Sequence, residues 1–421
     1  MCDFIKRSFL ILSVIFTVCY SNVFSQDTVK IMTYNLLNYN GSVIKDQSFR
    51  KIIGYSKPDI IVVEEIISQS AVNSFLTNVL NYYTPGLYSA GTFFNGFDTD
   101  NAVFYRTAEF TFLFNYAIPT TLRTINLFGL THNSSNVTIQ LFAVHLKAGN
   151  AVSDQEQRLS EVNVLRNFTN TFPDNTEFVV LGDFNIYSSA EACYQRLLQT
   201  EVGSQGHFID PYNLSGTWNQ SAYASYHTQS TRTRSLNDSG ATGGLDDRFD
   251  MILNSKAVTE EGRIKYIPGS LKPLGNDGNH YNDSINQRPN TAVPDSVADA
   301  LHLGADHLPV TALYKFEELP ISVSNITNSI PAVFKLYQNY PNPFNPVTKI
   351  NYELGIKNYE FVSLKIYDAL GIEVADLVNQ IQNAGRYEVE FDGSELSSGI
   401  YFYSLFTNGK LVDSKVMVLL K

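Results

Sequence analysis

The sequence predicts a layered α/β region followed by a small all-β domain. Three observations carry that reading. Apolar runs of strand length alternate with helical periodicity up to about residue 315, a polar break follows Phe316, and short alternating strands fill the remainder. A length of 421 residues exceeds what one ordinary domain needs. With 44% hydrophobic residues the chain can build a large core, and its 25 Tyr and 28 Phe suit pleated surfaces. The expected division is a leader over 1–25, an α/β domain over 26–316, a linker over 317–332 and a β domain over 333–421.

At the start, Lys6 and Arg7 precede a short apolar run over 9–20, and Val23 and Ser25 are small enough to sit before a cleavage ahead of Gln26. That is the pattern of an export signal. The run is shorter than the ~20 apolar residues a membrane span needs, and no later segment reaches that length. Val18 is a poor neighbour for lipoprotein processing at Cys19. With Cys2 and Cys19 in the leader, Cys193 stands alone, which excludes an internal disulfide and a thiolate zinc site in the mature chain.

Strands are predicted over 29–33, 60–63, 102–105, 138–146, 178–181, 249–253 and 308–314. Several are unbroken apolar runs, which implies burial on both faces. Helices are predicted over 47–55, 69–80 and 155–168. In the last, Leu159, Val162, Leu165 and Phe168 recur at helical spacing and Asp154 caps the start. The polar stretches 215–244 and 268–299 read as long loops, which in a compact domain usually wall a site. Beyond the linker, strands over 349–354, 362–367, 386–391, 400–406 and 411–419 suit a small β-sandwich. No His, Cys or carboxylate cluster lies there, so chemistry is expected upstream.

The formal net charge of −11 argues against a generic polyanion binder with a broad basic face. It does not argue against a phosphate enzyme, because carboxylates that hold metal ions add negative charge themselves.

Six segments place ligating or proton-transfer residues near strand ends. Asn35 follows the first strand, Glu65 the second, and His145 closes the run over 138–146. Asp183 and Asn185 follow 178–181, while Asp250 begins another apolar run and Asp306-His307 precede Pro309-Val310. The end of one strand and the start of its antiparallel neighbour share an edge, so these groups can meet at one rim. Taken singly, each has a bland explanation: an Asx turn at Asp183, a solvated Glu65, a core histidine at His145, a strand-entry turn at Asp306-His307. Taken together, they describe one site.

Met32-Thr33-Tyr34-Asn35-Leu36, the run from Pro58 to Ile66, Val144-His145-Leu146-Lys147, Leu181-Gly182-Asp183-Phe184-Asn185 and Ala305-Asp306-His307-Leu308-Pro309-Val310 occur in that order. Residues 28–315 thereby resemble the endonuclease/exonuclease/phosphatase superfamily. The resemblance implies a four-layered α/β sandwich, two packed sheets between helices, that hydrolyses phosphoesters with Mg²⁺ or a similar ion such as Mn²⁺ or Ca²⁺. It implies that Glu65 is the principal metal ligand, helped by Asn35 and Asp306. Asp183 would position or activate water, and Asn185 would hold a phosphate oxygen. His307 would contact the phosphate and pair with Asp250, and His145 would assist the leaving oxygen, oriented by Asp100 or Asn101. Glu64 stands where the family often has Gln, and Ala305 where it often has Ser. Arg232 and Arg234 are candidates for holding backbone phosphates bidentately, with solvated loop charges the alternative. No close His pair suggests zinc.

A second resemblance begins at Phe334 and runs through Asn339-Tyr340-Pro341-Asn342-Pro343-Phe344-Asn345-Pro346, Gly399-Ile400-Tyr401-Phe402-Tyr403 and the ending Met417-Val418-Leu419-Leu420-Lys421. It is similar to the type IX secretion C-terminal sorting domain, which implies a Gram-negative bacterium, passage through the periplasm, and release or attachment at the cell surface. The expectation is a monomeric secreted phosphodiesterase, foremost a nuclease with DNA or RNA as substrate and the type IX machinery as partner. The alternatives are a phosphatase, a sphingomyelinase-like lipid hydrolase, or an inactive surface adhesin.

Overall fold

A computed structural model describes residues 27–96, 98–260, 262–317, 334–355, 360–382 and 384–421. The expected leader and nearly all of the expected linker lie outside the described residues. The strands of the first region are β1 (Asp27–Tyr39), β2 (Ile60–Ile66), β3 (Tyr88–Ala90), β4 (Asp100–Arg106), β5 (Phe110–Ile118), β6 (Ile125–His132) and β7 (Val137–His145). They continue as β8 (Phe178–Asp183), β9 (Phe208–Ile209), β10 (Asp250–Ser255), β11 (Ile264–Tyr266), β12 (Lys272–Pro273) and β13 (Val310–Phe316). The helices are α1 (Val43–Ser56), α2 (Gln69–Ser74, prolonged by a π-helical turn over Phe75–Leu80), α3 (Val152–Thr169), α4 (Ala192–Leu198), α5 (Lys256–Thr259) and α6 (Asp295–Gly304).

Two sheets result. One has the order β11-β13-β1-β2-β4-β3 with β12 also on β13, and the other β5-β6-β7-β8-β10-β9. The unbroken apolar runs explain why they stack. In β2, Ile60 and Val62 face the other sheet, where they meet Leu141, Ala143, Val179 and Leu181. Ile61 and Val63 face the opposite way, toward Phe49 and Ile52 of α1 and Leu301 of α6. The second sheet does the same with Phe142 and Val180 against Val162 and Leu165 of α3 and Leu197 of α4. Three apolar layers between four layers of backbone make the predicted α/β sandwich. Each fully buried aliphatic side chain holds it by roughly 2–5 kcal/mol relative to alanine.

Local differences from expectation have identifiable causes. The helix predicted from residue 155 starts at Val152, so Asp154 sits inside the first turn and its carboxylate accepts the Ala151 amide at 3.1 Å. The stretch 268–299, read as loop, contains β12 and the first half of the amphipathic helix α6, which buries Val297, Ala298, Ala300 and Leu301.

After residue 333 the chain is all antiparallel: β14 (Lys335–Leu336), β15 (Val347–Leu354), β16 (Glu360–Tyr367), β17 (Glu373–Gln382), β18 (Gly385–Asp392), β19 (Gly399–Thr407) and β20 (Lys410–Leu419). They form sheets β14-β15-β18 and β17-β16-β19-β20, closed over Ile350, Tyr352, Leu364, Ile366, Tyr403, Leu405 and Met417.

Candidate active site

Each sheet of the sandwich has a parallel pair at its centre, β1 with β2 and β7 with β8. Antiparallel neighbours β10 and β13 enter beside them, with Asp250 opposite Asp183 and Val310 opposite Thr33. The ends of four strands and the starts of two therefore share an edge, and the eight candidate polar residues sit there.

Irregular backbone aims them. The β1–β2 register shifts between Asn35 and Tyr39, and the β2–β4 register between Val63 and Ile66. Within those bulges Leu37, Asn38 and Glu65 take left-handed φ values of 52°, 50° and 55°. Such strain persists where surrounding contacts impose it. Here the Asn38 amide donates to Glu65 Oε2 at 2.9 Å and the Leu37 amide to Asn35 Oδ1 at 2.9 Å. Gly182 is required by proximity: at φ 138° a Cβ would meet the Val144 carbonyl oxygen at 1.9 Å. Only glycine lets Asp183 lie against His145 in register. Asp183 then closes an Asx turn by accepting the Asn185 amide at 3.1 Å.

The side chains form a connected set. Asn35 Nδ2 donates to Glu65 Oε1 (3.1 Å) and to Asp183 Oδ2 (3.2 Å). His145 Nε2 stands 3.8 Å from Glu65 Oε1 and 3.6 Å from Asp183 Oδ2. His307 Nε2 is 3.8 Å from the same Asp183 oxygen, and its Nδ1 is 2.8 Å from Asp250 Oδ2. Asp306 Oδ2 accepts the Ala241 amide at 2.6 Å, while its Oδ1 is buried without a hydrogen-bond partner among the described residues. Asn185 Nδ2 donates to the Leu146 carbonyl oxygen at 3.2 Å. Glu65 and His307 thus lie on one edge, linked through His145 and Asp183. Arg158, wholly buried, braces the loop beyond His145 by donating to the carbonyl oxygens of Lys147 and Gly149 and pairing with Glu191.

Burial and crowding set the protonation. Burial pushes the Asp183 carboxyl up to about 7; His307 opposes this, and Asp250 and Glu65 reinforce it. Burial opposes charge on His307, but Asp250 and Asp183 outweigh it and hold the imidazole well above its ordinary value. His145 goes the other way, driven well below by burial, then by Arg123 and His307. Of the two imidazoles His307 is therefore the one that takes a second proton more readily. Beneath them Glu64 is completely buried, takes a hydrogen bond from Thr33 Oγ1 at 2.7 Å, and is driven by burial well above the carboxylate range. A neutral carboxylic acid matches glutamine in shape and in having a donor, which accounts for Glu64 at a position where Gln is common.

The oxygen-rich donor set suits a hard cation such as Mg²⁺, which needs few protein ligands and keeps several waters. Glu65 reaches solvent with 17% of its side chain, and Asp306 offers the unpartnered oxygen. Among the described residues no three His, Cys, Asp or Glu side chains stand grouped so as to hold a metal ion by themselves.

Other residues stand elsewhere. Arg232 is completely buried, and its Nη1 donates to Asp238 Oδ1 and Oδ2 at 3.1 and 2.9 Å, so it braces the loop from inside instead of facing a substrate. Arg234 is exposed. Asp100 and Asn101 do not orient His145: Asp100 takes the Gly96 amide, Asn101 bonds to Asn126 and the Ala143 carbonyl oxygen, and His145 Nδ1 has no partner among the described residues. Trp218, the single tryptophan, is buried and offers no membrane contact. Sequence reasoning missed Gln229, whose Nε2 donates to Asp306 Oδ2 at 3.3 Å and lies 2.6 Å from His307 Nε2. No spacing or pattern in its polar loop singles it out.

Comparison with known proteins agrees with this architecture. Residues 32–270 match the endonuclease/exonuclease/phosphatase family, and residues 338–419 match the secretion system C-terminal sorting domain. No curated protein matches the chain. Among solved structures, TDP2 of D. rerio complexed with a single-strand DNA product is 15% identical, with 68% of this chain and 99% of that one covered at a TM-score of 0.45. A family protein of Bacteroides thetaiotaomicron is 15% identical over 69% and 98% of the two chains, TM-score 0.44. The human Nocturnin catalytic domain with bound sulfate is 17% identical over 69% and 94%, TM-score 0.42. No helix among the described residues is long and apolar enough to cross a membrane. The chain belongs to the endonuclease/exonuclease/phosphatase family and ends in a type IX sorting domain that directs it to the surface or surroundings of a Gram-negative bacterium.

Proposed function

We propose that the protein is a secreted, divalent-metal-dependent phosphodiesterase, foremost a nuclease hydrolysing DNA or RNA. The observation that carries this reading is the unbroken chain of contacts from Asn35 and Glu65 through His145 and Asp183 to His307 and Asp250. Glu65, Asn35 and Asp306 would hold the cation, which when bound polarises the phosphoryl group and eases departure of the leaving oxygen.

The chain's own groups do the rest. His307, once it takes a proton at Nε2, neutralises a non-bridging phosphoryl oxygen, and Asp250 keeps its imidazole in place. Asp183 positions the attacking water and takes its proton, a task suited to a carboxyl near neutral pH. His145 assists the leaving oxygen, and Asn185 steadies the phosphate. Arg234 is the loop arginine free to meet a phosphate backbone. The chain is read as a monomer whose cation is Mg²⁺, with Mn²⁺ or Ca²⁺ as substitutes.

One observation favours a lipid phosphodiester instead. Val43 and Ile44 are 75% and 88% exposed at the start of α1, next to Lys45, whose Nζ donates to the Leu37 carbonyl oxygen beside the site. Purified full-length protein should be assayed on plasmid DNA, RNA, sphingomyelin vesicles and a generic phosphodiester, with and without chelator. Cleavage of DNA or RNA that chelator abolishes is expected. Turnover of sphingomyelin alone would transfer the assignment to the lipid reading, and inertness toward all four would remove the enzyme.

A further inference from the structure

The polar stretch 215–244 turns inward at residues 228–231 and runs between the two segments that carry the acidic and imidazole groups. On one side the Gln229 carbonyl oxygen accepts the amides of Asp246 and Asp247 at 2.8 and 2.9 Å, and the Gln229 amide donates to the Asp247 carbonyl oxygen at 3.1 Å. On the other, the Leu308 amide donates to the Thr228 carbonyl oxygen (2.7 Å) and the Thr231 amide to that of Asp306 (3.0 Å). Thr228 Oγ1 also accepts the amides of Phe249 and Asp250, both at 3.1 Å. This backbone leaves the Gln229 side chain one direction, across the reacting edge.

We propose that Gln229 is a positioning residue for hydrolysis, its amide tying the His307 imidazole and the Asp306 carboxylate into one fixed relation. The inference rests on the phosphodiesterase reading above. An imidazole anchored only through Nδ1 can rock about that bond. In the unprotonated ring His307 Nδ1–H donates to Asp250 (2.8 Å) and Nε2 accepts from the Gln229 side-chain amide (2.6 Å), so both ring nitrogens are tied and the imidazole is set before it takes a second proton. The same Nε2 of Gln229 donates to Asp306 Oδ2 at 3.3 Å, so one planar group sets the spacing between the phosphate-contacting and cation-holding sides of the pocket. A polar loop residue with only a solvating role would have no reason to bridge two site side chains. Misplacement of a reacting group by about 1 Å costs up to ~10²-fold in rate.

The test uses the full chain with Gln229→Met, which keeps the shape and removes the amide, and Gln229→Ala. Bis(p-nitrophenyl) phosphate with Mg²⁺ is the probe, and imidazole ¹⁵N spectra, with His307 assigned by His307→Ala, report the ring directly. Both variants should lower kcat by about 10- to 10²-fold with KM changed far less, shift the His307 resonances, and keep the wild-type melting temperature. Wild-type kcat with unmoved His307 resonances in Gln229→Met would overturn the proposal, as would a loss that tracks a lowered melting temperature alone. Inert wild-type protein would instead refute the phosphodiesterase reading, while the spectra would still decide whether Gln229 sets the ring.

Discussion

The two β-built regions of this chain treat buried polarity in opposite ways. At the shared edge of the first region, Asn35, Glu64, His145, Asp183, Asn185, Asp250, Asp306 and His307 are all less than a tenth exposed. In the described part of the second region the buried polar residues are Asn339, Thr348, Ser363, Gln382, Ser404 and Thr407, none of them ionisable. Removing a charge from water costs several kcal/mol even after relaxation, and pairing recovers it only in part. A fold that needs only stability does what the second region does, joining Asn339 to Thr348 at 3.0 Å and Ser404 to Ser414 at 2.9 Å. The first region accepts the cost where strand ends converge, which marks that edge as the place of chemistry.

The sharpest way to break the contrast is Asp183→Ala. It should lower kcat on a phosphodiester by about 10²–10⁴-fold with an unchanged circular dichroism spectrum; full activity in that variant would remove Asp183 from the mechanism. Deleting residues 333–421 should separate the regions: the truncated protein keeps hydrolysis in cell extracts but stays in the periplasm. Fractionation that finds it at the surface or in the medium would contradict the sorting role.

Asp183→Asn sharpens the comparison through stability. Because the folded protein holds the Asp183 proton up to about pH 7, the carboxyl's contribution is complete only below its unfolded value near 4 and is lost as pH rises through 7. Above pH 7 the ionised, buried carboxylate is a net cost in the metal-free protein. The Asn variant should therefore melt several degrees higher at pH 8, on the order of 2 kcal/mol, with the gain shrinking toward pH 4. A gain that grows on acidification would reverse the assigned sign.

The smallest effect belongs to the second region. Tyr403 Oη accepts the Asn339 amide at 2.7 Å and donates to the Tyr337 carbonyl oxygen at 2.8 Å. Tyr403→Phe should destabilise that region by about 1 kcal/mol and leave hydrolysis untouched; altered kcat would show that the two regions are not independent.

Much of this was legible in the sequence, for physical reasons. Runs such as Ile60-Ile61-Val62-Val63 must be buried on both faces, and that alone implies stacked layers. The site residues were legible because strand ends oblige them to share an edge. The hairpin of β5 and β6 was overlooked, although its pairing explains Gly129: a Cβ there would meet Phe114 Cε1 at 2.4 Å, so glycine marks an aromatic lying across the neighbouring strand. Helix α6 was hidden by the Pro-, Asn- and Gly-rich segment before it. Arg232 looked solvent-facing because its partner Asp238 is brought to it by loop closure, and Gln229 gains its neighbours only when three distant segments assemble.

The most direct measurement is hydrolysis of a generic phosphodiester by the full chain before chelation, after chelation, and after Mg²⁺ is restored, with Glu65→Ala run in parallel. The account predicts loss on chelation, recovery with Mg²⁺, and little activity in the variant at any Mg²⁺ concentration. Turnover indifferent to both chelator and Glu65 would contradict it.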